Sequence, residues 1–258
     1  MKRLERFLGA SFPLPLFFVG LAILQPDVSL ASAFKVTPVK VLLSRRVPTA
    51  LLTLKNESDR RLRFQATVFV WSQTREGKME LSPTRDVVFF PPLLSVEPGA
   101  TRKVRLGAAA EFGTLEKSYR IFFEELPELE PAGLPAQTQL KIRTRMGIPI
   151  FLQPGEAERG SRVEGAAIGG GNLRFSVRNT GNVHVNVGRV RVRGLGPTGG
   201  PVYEREADGW YVLAGGSRDY AIEVPLDRCE GIARFDIETM VDGITAVTKL
   251  ESSSASCR

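Results

Sequence analysis

Residues 60–71 read RRLRFQATVFVW, and this stretch decides the fold class. From residue 62 onward, its even positions carry apolar side chains, whereas most of its odd positions carry polar ones. Because successive side chains of an extended chain point to opposite faces, this period of two predicts a strand with one buried face. The side chains expected to face the core are Leu62, Phe64, Ala66, Val68 and Val70.

Comparable apolar runs lie on both sides of this strand, with turn residues between them. Residues 36–43 and 49–55 precede it, and residues 101–106, 118–126 and 140–152 follow it. Short strands at frequent intervals, separated by turn residues, are typical of an immunoglobulin-like sandwich. The first half of the chain is therefore predicted to form one such sandwich.

The composition changes after Pro154-Gly155. Residues 155–171 contain six glycines, which predicts a hinge followed by a surface loop. Strand patterns then resume at residues 173–178. The chain is thus predicted to be all-β, with two immunoglobulin-like β-sandwich domains at residues 34–154 and 155–258 joined by a short hinge.

The first 33 residues have the features of a signal peptide. Residues 1–7 are basic, residues 8–24 are mostly apolar, and Ala31-Ser32-Ala33 offers small residues for cleavage before Phe34. The alternative is an uncleaved membrane anchor, but the longest unbroken apolar run, 16–24, is too short to span about 30 Å of hydrocarbon. We therefore expect a soluble protein outside the cytoplasm, without membrane insertion.

The two cysteines are Cys229 and Cys257. In an oxidising compartment a pair without metal partners predicts one disulfide, although two free thiols stay the alternative. A bond between them would close a loop near the C-terminus and stabilise the fold by about 3 kcal/mol.

The composition argues against catalysis. One histidine and two cysteines exclude most His/Cys metal sites, and a catalytic triad would depend on His184, which is interpreted as a packed or solvated side chain. The formal charge of +7 invites anionic partners. The basic strand at 189–193 lacks interleaved aromatic residues, so nucleic acid is not expected. We expect no enzyme activity, no metal and no cofactor.

Four blocks occur in a specific order in the first half of the chain: VTPVKVLL (36–43), LTLKN (52–56), VVFFPPLLSVEPGATRKVRL (87–106) and SYRIFFEELP (118–127). Together they resemble the first domain of PapD-like periplasmic pilus (fimbrial) assembly chaperones. The residues PVKV at 38–41 and IPIF at 148–151 are most similar to the archaic, Csu-like branch. The second domain is similar only in length and strand content.

The resemblance implies a function in pilus assembly. Such chaperones bind pilus subunits by donor-strand complementation, in which a strand with alternating apolar residues completes the subunit's sheet, and they deliver the subunits to an outer-membrane usher. The implied donor residues are Leu140, Ile142, Thr144 and Met146. Without the resemblance, the same stretch would be interpreted as the last strand of the first sandwich, with its apolar face in its own core.

The family also anchors the subunit's terminal carboxylate with two basic side chains, one from the first strand and one from the donor strand. The first corresponds to Lys40. The second falls on Pro149, which carries no charge, so Arg145 and Arg143 are the remaining candidates.

Arg105 and Glu116 are candidates for the buried or interdomain ion pairs found in such chaperones. The alternative is an exposed pair, which would be worth less than about 1 kcal/mol.

A second class of function stays open from the sequence. A secreted two-domain adhesion or scaffold module without chaperone activity would have the same strand content. Its first-domain sheet edge would be covered, and it would bind neither subunits nor an usher.

Overall fold

The computed structural model describes residues 33–127 and 143–257, and these residues are mostly extended. The first sandwich consists of β1 Phe34–Thr37, β2 Val41–Leu43, β3 Thr49–Asn56, β4 Leu62–Gln73, β5 Met79–Pro83, β6 Val87–Phe90, β7 Leu93–Val96, β8 Thr101–Ala108, β9 Lys117–Glu125 and β10 Arg145–Leu152. The second consists of β11 Ser161–Gly169, β12 Asn172–Asn179, β13 Val185–Leu195, β14 Pro201–Asp208, β15 Tyr211–Val212, β16 Ser217–Glu223, β17 Arg234–Val241 and β18 Ile244–Glu251. A short helix, α1 (Leu226–Cys229), and a 3-10 turn at Ser254–Cys257 complete it. The predicted all-β fold of two immunoglobulin-like sandwiches is confirmed.

Two sheets enclose the first core. One has the strand order β1-β3-β8-β6, and the other has the order β2-β10-β9-β4-β5, with β7 pairing to β4. The period of two in β4 places Leu62, Phe64, Ala66 and Val68 in this core, as predicted. Burial of each large side chain contributes about 1.5–3 kcal/mol, so this alternation fixes which face of β4 points inward.

The segment 36–43, which the alternation suggested was one strand, is two. β1 pairs antiparallel with β3, whereas β2 pairs parallel with β10 in the opposite sheet. The chain changes sheets at Pro38, which cannot donate a main-chain hydrogen bond to a ladder. Both halves still bury their core side chains, Val36 before the crossing and Val41 and Leu43 after it.

The second sandwich packs the sheet β11-β12-β16 against the sheet β14-β13-β17-β18, with β15 pairing to β13. Its core is built largely from valine and isoleucine on alternating positions. In β13, for example, Val185, Val187, Val190 and Val192 are all buried. The change of parity between Val187 and Val190 coincides with a β-bulge, where one extra residue shifts the register.

The loop predicted within residues 155–171 is wrong from Ser161 onward, because those residues form β11 and pair with β12. A bulge between Glu164 and Ala167 interrupts the ladder, and Gly165 lies there with φ of +63°. Glycine suits this position because side-chain-bearing residues rarely adopt positive φ. The glycines therefore mark a bulge and the turn after the strand rather than a continuous loop.

The predicted disulfide between Cys229 and Cys257 is present. Cys229 ends α1, Cys257 ends the 3-10 turn, and both are fully buried in the second core. The bond ties the last residues of the described chain to this core. Within the described ranges, no helix has the length and apolar character needed to cross a bilayer.

The hairpin formed by β4 and β5 connects the two sandwiches. The Gln73 side chain donates to the carbonyl of Tyr211 at 3.0 Å and accepts from the amide of Leu213 at 3.3 Å. Arg75, in the turn of the hairpin, pairs with Asp219 at 3.1 Å. These contacts hold the end of β4 against the second sandwich.

Candidate functional site

The edge of β10 is open over its first half. β10 pairs with β9 along its whole length, from Arg145 to Leu152, but pairs with β2 only from Ile150 onward. Within the described residues, the stretch 145–149 has no strand partner on that second side. Unpaired N–H and C=O groups on such an edge can accept a further strand.

The side chains of β10 continue the alternation predicted for a donor strand. Ile148 and Ile150 are buried in the first core, Met146 packs against it and is half-buried, and Thr144 precedes them on the same parity. The Thr144 carbonyl accepts from the Glu125 amide, so β9 supports the chain up to this point. The other two predicted donor residues, Leu140 and Ile142, lie outside the described residues.

Of the two basic candidates near this edge, Arg143 is exposed and Arg145 already has partners. The Arg145 guanidinium lies 4.1 Å from the centre of the Phe122 ring and 3.8 Å from the Glu124 carboxylate. Phe122 in turn covers Gly147, where a Cβ atom would come within 2.6 Å of the ring. The charge of Arg145 is therefore partly neutralised on the surface of its own sheet.

Lys40 lies immediately before β2 and is exposed. The parallel register pairs Val41 with Ile150, which places Lys40 beside Pro149, one residue earlier on each strand. Since Val41 points into the core, Lys40 belongs to the outer face of the sheet. Val39 and Leu42 next to it are both exposed, so the cation has an apolar border.

The next side chain in this row is Arg120, which the sequence analysis did not single out. β9 pairs with β10 so that Arg120 lies opposite Pro149. Pro149 and Arg120 thus occupy neighbouring strands, and Lys40 precedes the strand on the other side of Pro149. Two strand spacings correspond to about 10 Å between the backbones of the two cations. The tripeptide Ser118-Tyr119-Arg120 was part of the family resemblance, but only the sheet register shows that its arginine lies opposite Pro149.

The Arg120 guanidinium is held between aromatic rings. It lies 4.7 Å from the centre of the Trp71 ring and 5.3 Å from that of Trp210, and it donates to the Met79 sulfur at 3.3 Å. Burial lowers the pKa of Arg120. Its Nε atom is buried without a hydrogen-bond partner, and within the described residues the side chain forms no ion pair. A desolvated cation of this kind is stabilised by an incoming carboxylate.

Aromatic rings of the two sandwiches meet at a surface called here the crevice, which is formed by Trp71, Phe151, His184, Trp210 and Tyr211. The His184 ring stacks on Phe151 with centres 3.7 Å apart, and Tyr211 contacts both rings. His184 is buried, and its amide and Nδ1 atom both lie within 2.8 Å of the same Glu116 oxygen. The side chain is thus a packed contact between the sandwiches rather than a solvated residue.

The two candidate ion-pair residues, Arg105 and Glu116, lie in different environments. Glu116 is buried and joins the first sandwich to His184 of the second. Arg105 is exposed on β8 and forms no ion pair within the described residues. Among the described residues, no group of three His, Cys, Asp or Glu side chains could hold a metal ion.

A family model covers the first sandwich. Residues 33–158 match the PapD N-terminal domain of pili and flagellar-assembly chaperones. No curated protein matches the sequence significantly.

The fold is similar to those of several solved chaperone structures. A chain in the CsuC–CsuE chaperone–tip adhesion subunit complex from the archaic chaperone-usher Csu pili of Acinetobacter baumannii is 15% identical with a TM-score of 0.58, covering 84% of this chain and 98% of that chain. The Escherichia coli chaperone DraB is 18% identical with a TM-score of 0.53, covering 86% and 98%. A chain in the complex of the Salmonella enterica SafA pilin with the SafB chaperone is 16% identical with a TM-score of 0.53, covering 86% and 98%. The solved structures share the fold, and the family model shows that residues 33–158 belong to the PapD N-terminal domain family of pili and flagellar-assembly chaperones.

Proposed function

We propose that this protein is a chaperone that binds pilus or fimbrial subunits by donor-strand complementation. The observation that carries the proposal is the open edge of β10, whose core-facing parity continues the alternating apolar sequence. The solved relatives in complex with a pilin or a tip adhesion subunit support the same role.

In this mechanism the subunit adds a strand to the open edge at residues 145–149 and to the residues before it. Main-chain hydrogen bonds along the edge supply affinity, while Leu140, Ile142, Thr144 and Met146 fill successive positions of the subunit's apolar groove. Each large apolar side chain that becomes buried contributes about 1.5–3 kcal/mol.

The subunit's terminal carboxylate is proposed to bind between Lys40 and Arg120. Both cations lie on one row of the outer face, and Arg120 is desolvated and has no carboxylate partner within the described residues. Arg145 is the weaker candidate, because it already contacts Glu124 and Phe122. Arg143 is exposed and two residues further from the row. Anchoring the chain end would set which donor residue meets which groove position, since a shift of one residue reverses every side chain.

The cellular context is proposed from the sequence and the family. Residues 1–33 would direct the chain to the periplasm and be removed, leaving a chaperone domain at 34–154 and a second domain at 155–258. Loaded subunits would pass to an outer-membrane usher. The archaic, Csu-like branch is favoured by the residues PVKV at 38–41 and IPIF at 148–151.

The test is co-expression in the periplasm of the tagged protein with a pilin encoded next to it. We expect a one-to-one complex to co-purify, and Ile142→Asp to abolish it. The intact mass of the purified protein should correspond to a chain that begins at Phe34. A protein recovered without the pilin, while the pilin is degraded or aggregates, would contradict the proposal and favour the adhesion or scaffold module.

A further inference from the structure

The outer face of the sheet β1-β3-β8-β6 has a composition that the chaperone function does not explain. This face, called here the basic sheet face, carries the side chains that alternate with the buried ones on the four strands. They are Lys35, Thr37, Thr49, Leu51, Thr53, Lys55, Thr101, Lys103, Arg105, Val88 and Phe90.

Every charged side chain on the basic sheet face is a cation. Lys35 lies opposite Lys55, and Lys103 and Arg105 follow on the neighbouring strand. Only Lys55 has a carboxylate partner, Glu57, which lies in the turn beyond the strand at 3.4 Å. The other three cations form no ion pair within the described residues. Three of these four neighbouring cations thus lack a carboxylate partner within the described residues, which gives the face a positive potential.

One margin of the same face is apolar. Leu51 and Phe90 lie opposite Arg105 on its two neighbouring strands and are 40% and 74% exposed. Val88, two residues from Phe90, is 58% exposed. Phe90 and Val88 belong to β6, an edge strand, so their side chains lie at the boundary of the sheet.

The charge pattern indicates which kind of partner could bind to this face. A second copy packed symmetrically on it would bring like charges together, which is unfavourable. A specific anchoring of one carboxylate would need convergent donors, whereas these cations are spread across three strands. The surface of a lipid bilayer presents a planar array of headgroup phosphates, which matches the spread of the cations. Beneath the phosphates lies a layer that accepts apolar side chains, which matches the exposed Phe90.

We propose that the basic sheet face binds peripherally to the surface of an anionic phospholipid bilayer. The cations contact the headgroup phosphates, and Phe90 and Val88 enter the boundary between headgroups and acyl chains. The face belongs to the sheet opposite the one that contains β10 and Arg120, so bilayer contact leaves the proposed subunit site open.

The experiment measures sedimentation of the protein, purified from the periplasm, with vesicles. We expect binding to phosphatidylglycerol–phosphatidylcholine vesicles that weakens with salt, and no binding to phosphatidylcholine alone. The triple variant Lys35→Gln/Lys103→Gln/Arg105→Gln should bind on the order of 100-fold more weakly, at about fivefold per removed cation.

The matched control removes three exposed cations of the second sandwich, Arg174→Gln/Arg205→Gln/Lys249→Gln, and has the same net charge. It should retain most of the vesicle binding. Equal losses in both triple variants would overturn the proposal, because net charge alone would then explain the binding. Absence of any preference for phosphatidylglycerol would also overturn it and leave the face to an acidic protein partner.

A second variant separates a bilayer from a soluble polyanion. Phe90→Ser should weaken vesicle binding by about tenfold but leave binding to polyphosphate unchanged, since only the bilayer receives the ring. Unchanged vesicle binding by Phe90→Ser would overturn the bilayer as the ligand. If the triple variant unfolds, the single variants Lys35→Gln and Lys103→Gln, both at exposed positions, carry the test with an expected fivefold loss each.

Discussion

Replacement of Arg120 by methionine tests the proposed carboxylate anchor directly. Methionine keeps an unbranched apolar side chain between Trp71 and Trp210 but removes the guanidinium. A hydrogen bond to a charged group contributes about 1.5–3 kcal/mol, so subunit affinity should fall by about 10-fold to 150-fold.

The free protein should respond differently from the complex. Arg120→Met loses two cation–π contacts, each worth about 0.5–1 kcal/mol, but it also removes a desolvated charge that has no carboxylate partner in the described structure. These effects oppose each other, so the free energy of unfolding should change by less than about 1.5 kcal/mol. Loss of subunit binding with nearly unchanged stability is the expected combination.

The assay is the amount of a co-expressed pilus subunit that co-purifies with the tagged protein, with urea unfolding of the free protein measured in parallel. Arg174→Met, at an exposed arginine of the second sandwich, is the matched control and should bind like the wild type. Lys40→Met should resemble Arg120→Met. The double variant should lose less than the sum of the two, because both cations contact one carboxylate.

Wild-type subunit recovery by Arg120→Met would refute this reasoning. If Lys40→Met alone lost binding, the second cation would have to be sought at Arg145 or Arg143. If neither variant lost binding, the carboxylate would be held elsewhere. A strong fall in the stability of free Arg120→Met would instead show that the guanidinium stabilises the crevice itself.

Further predictions concern the donor strand, the crevice and the second sandwich. Ile142→Asp should abolish subunit co-purification without shifting the unfolding midpoint of the free protein; unfolding of the variant would identify an ordinary core position. His184→Ala should lower the free energy of unfolding by about 2–4 kcal/mol in urea, since it removes a buried ring stack and leaves a buried carboxylate with fewer donors; a change within error would contradict this. Loss of the disulfide in the double variant Cys229→Ala/Cys257→Ala should lower the free energy of unfolding by about 3 kcal/mol, and a stability equal to that of the wild type would show that the bond contributes nothing. Burial raises the pKa of Asp219, but hydrogen bonds from a serine hydroxyl and an arginine guanidinium outweigh burial and lower this pKa below its ordinary value of 3.8. The ionised carboxylate therefore stabilises the fold above pH 3.8, and this stabilisation is lost as the pH falls through the lower folded pKa. The stability of wild type and Asp219→Asn should therefore differ at pH 7 and converge as the pH falls through the folded pKa of Asp219; a constant difference in urea titrations would contradict the assignment.

The arrangement of the crevice connects the two sandwiches to the proposed function. Glu116 and His184 join the sandwiches on one side, and Gln73 joins them through β15. Trp71 and Trp210, one from each sandwich, together hold the Arg120 guanidinium. The position of the proposed second anchoring cation therefore depends on how the sandwiches pack.

Features that depend on neighbouring residues could be predicted from the sequence. The period of two in β4 predicted which of its side chains are buried, because strand alternation is a local property of the chain. The cysteine count predicted the Cys229–Cys257 bond, because only one pairing within the chain was available. The resemblance to the family, which rests on the sequence, also identified Lys40 as an anchoring candidate and showed that Pro149 leaves the second anchoring position without a charge.

Which residues from distant strands lie side by side depends on how the strands pack in three dimensions. The sequence separates Lys40 from Arg120 by 79 positions, and no local pattern shows that β2, β10 and β9 align them. The crossing at Pro38, the strand β11 within a glycine-rich segment and the burial of His184 depend in the same way on partners far along the chain. Alternation fixes the face of a strand, whereas strand order and register fix what lies beside it, and those come from the packing of the whole domain.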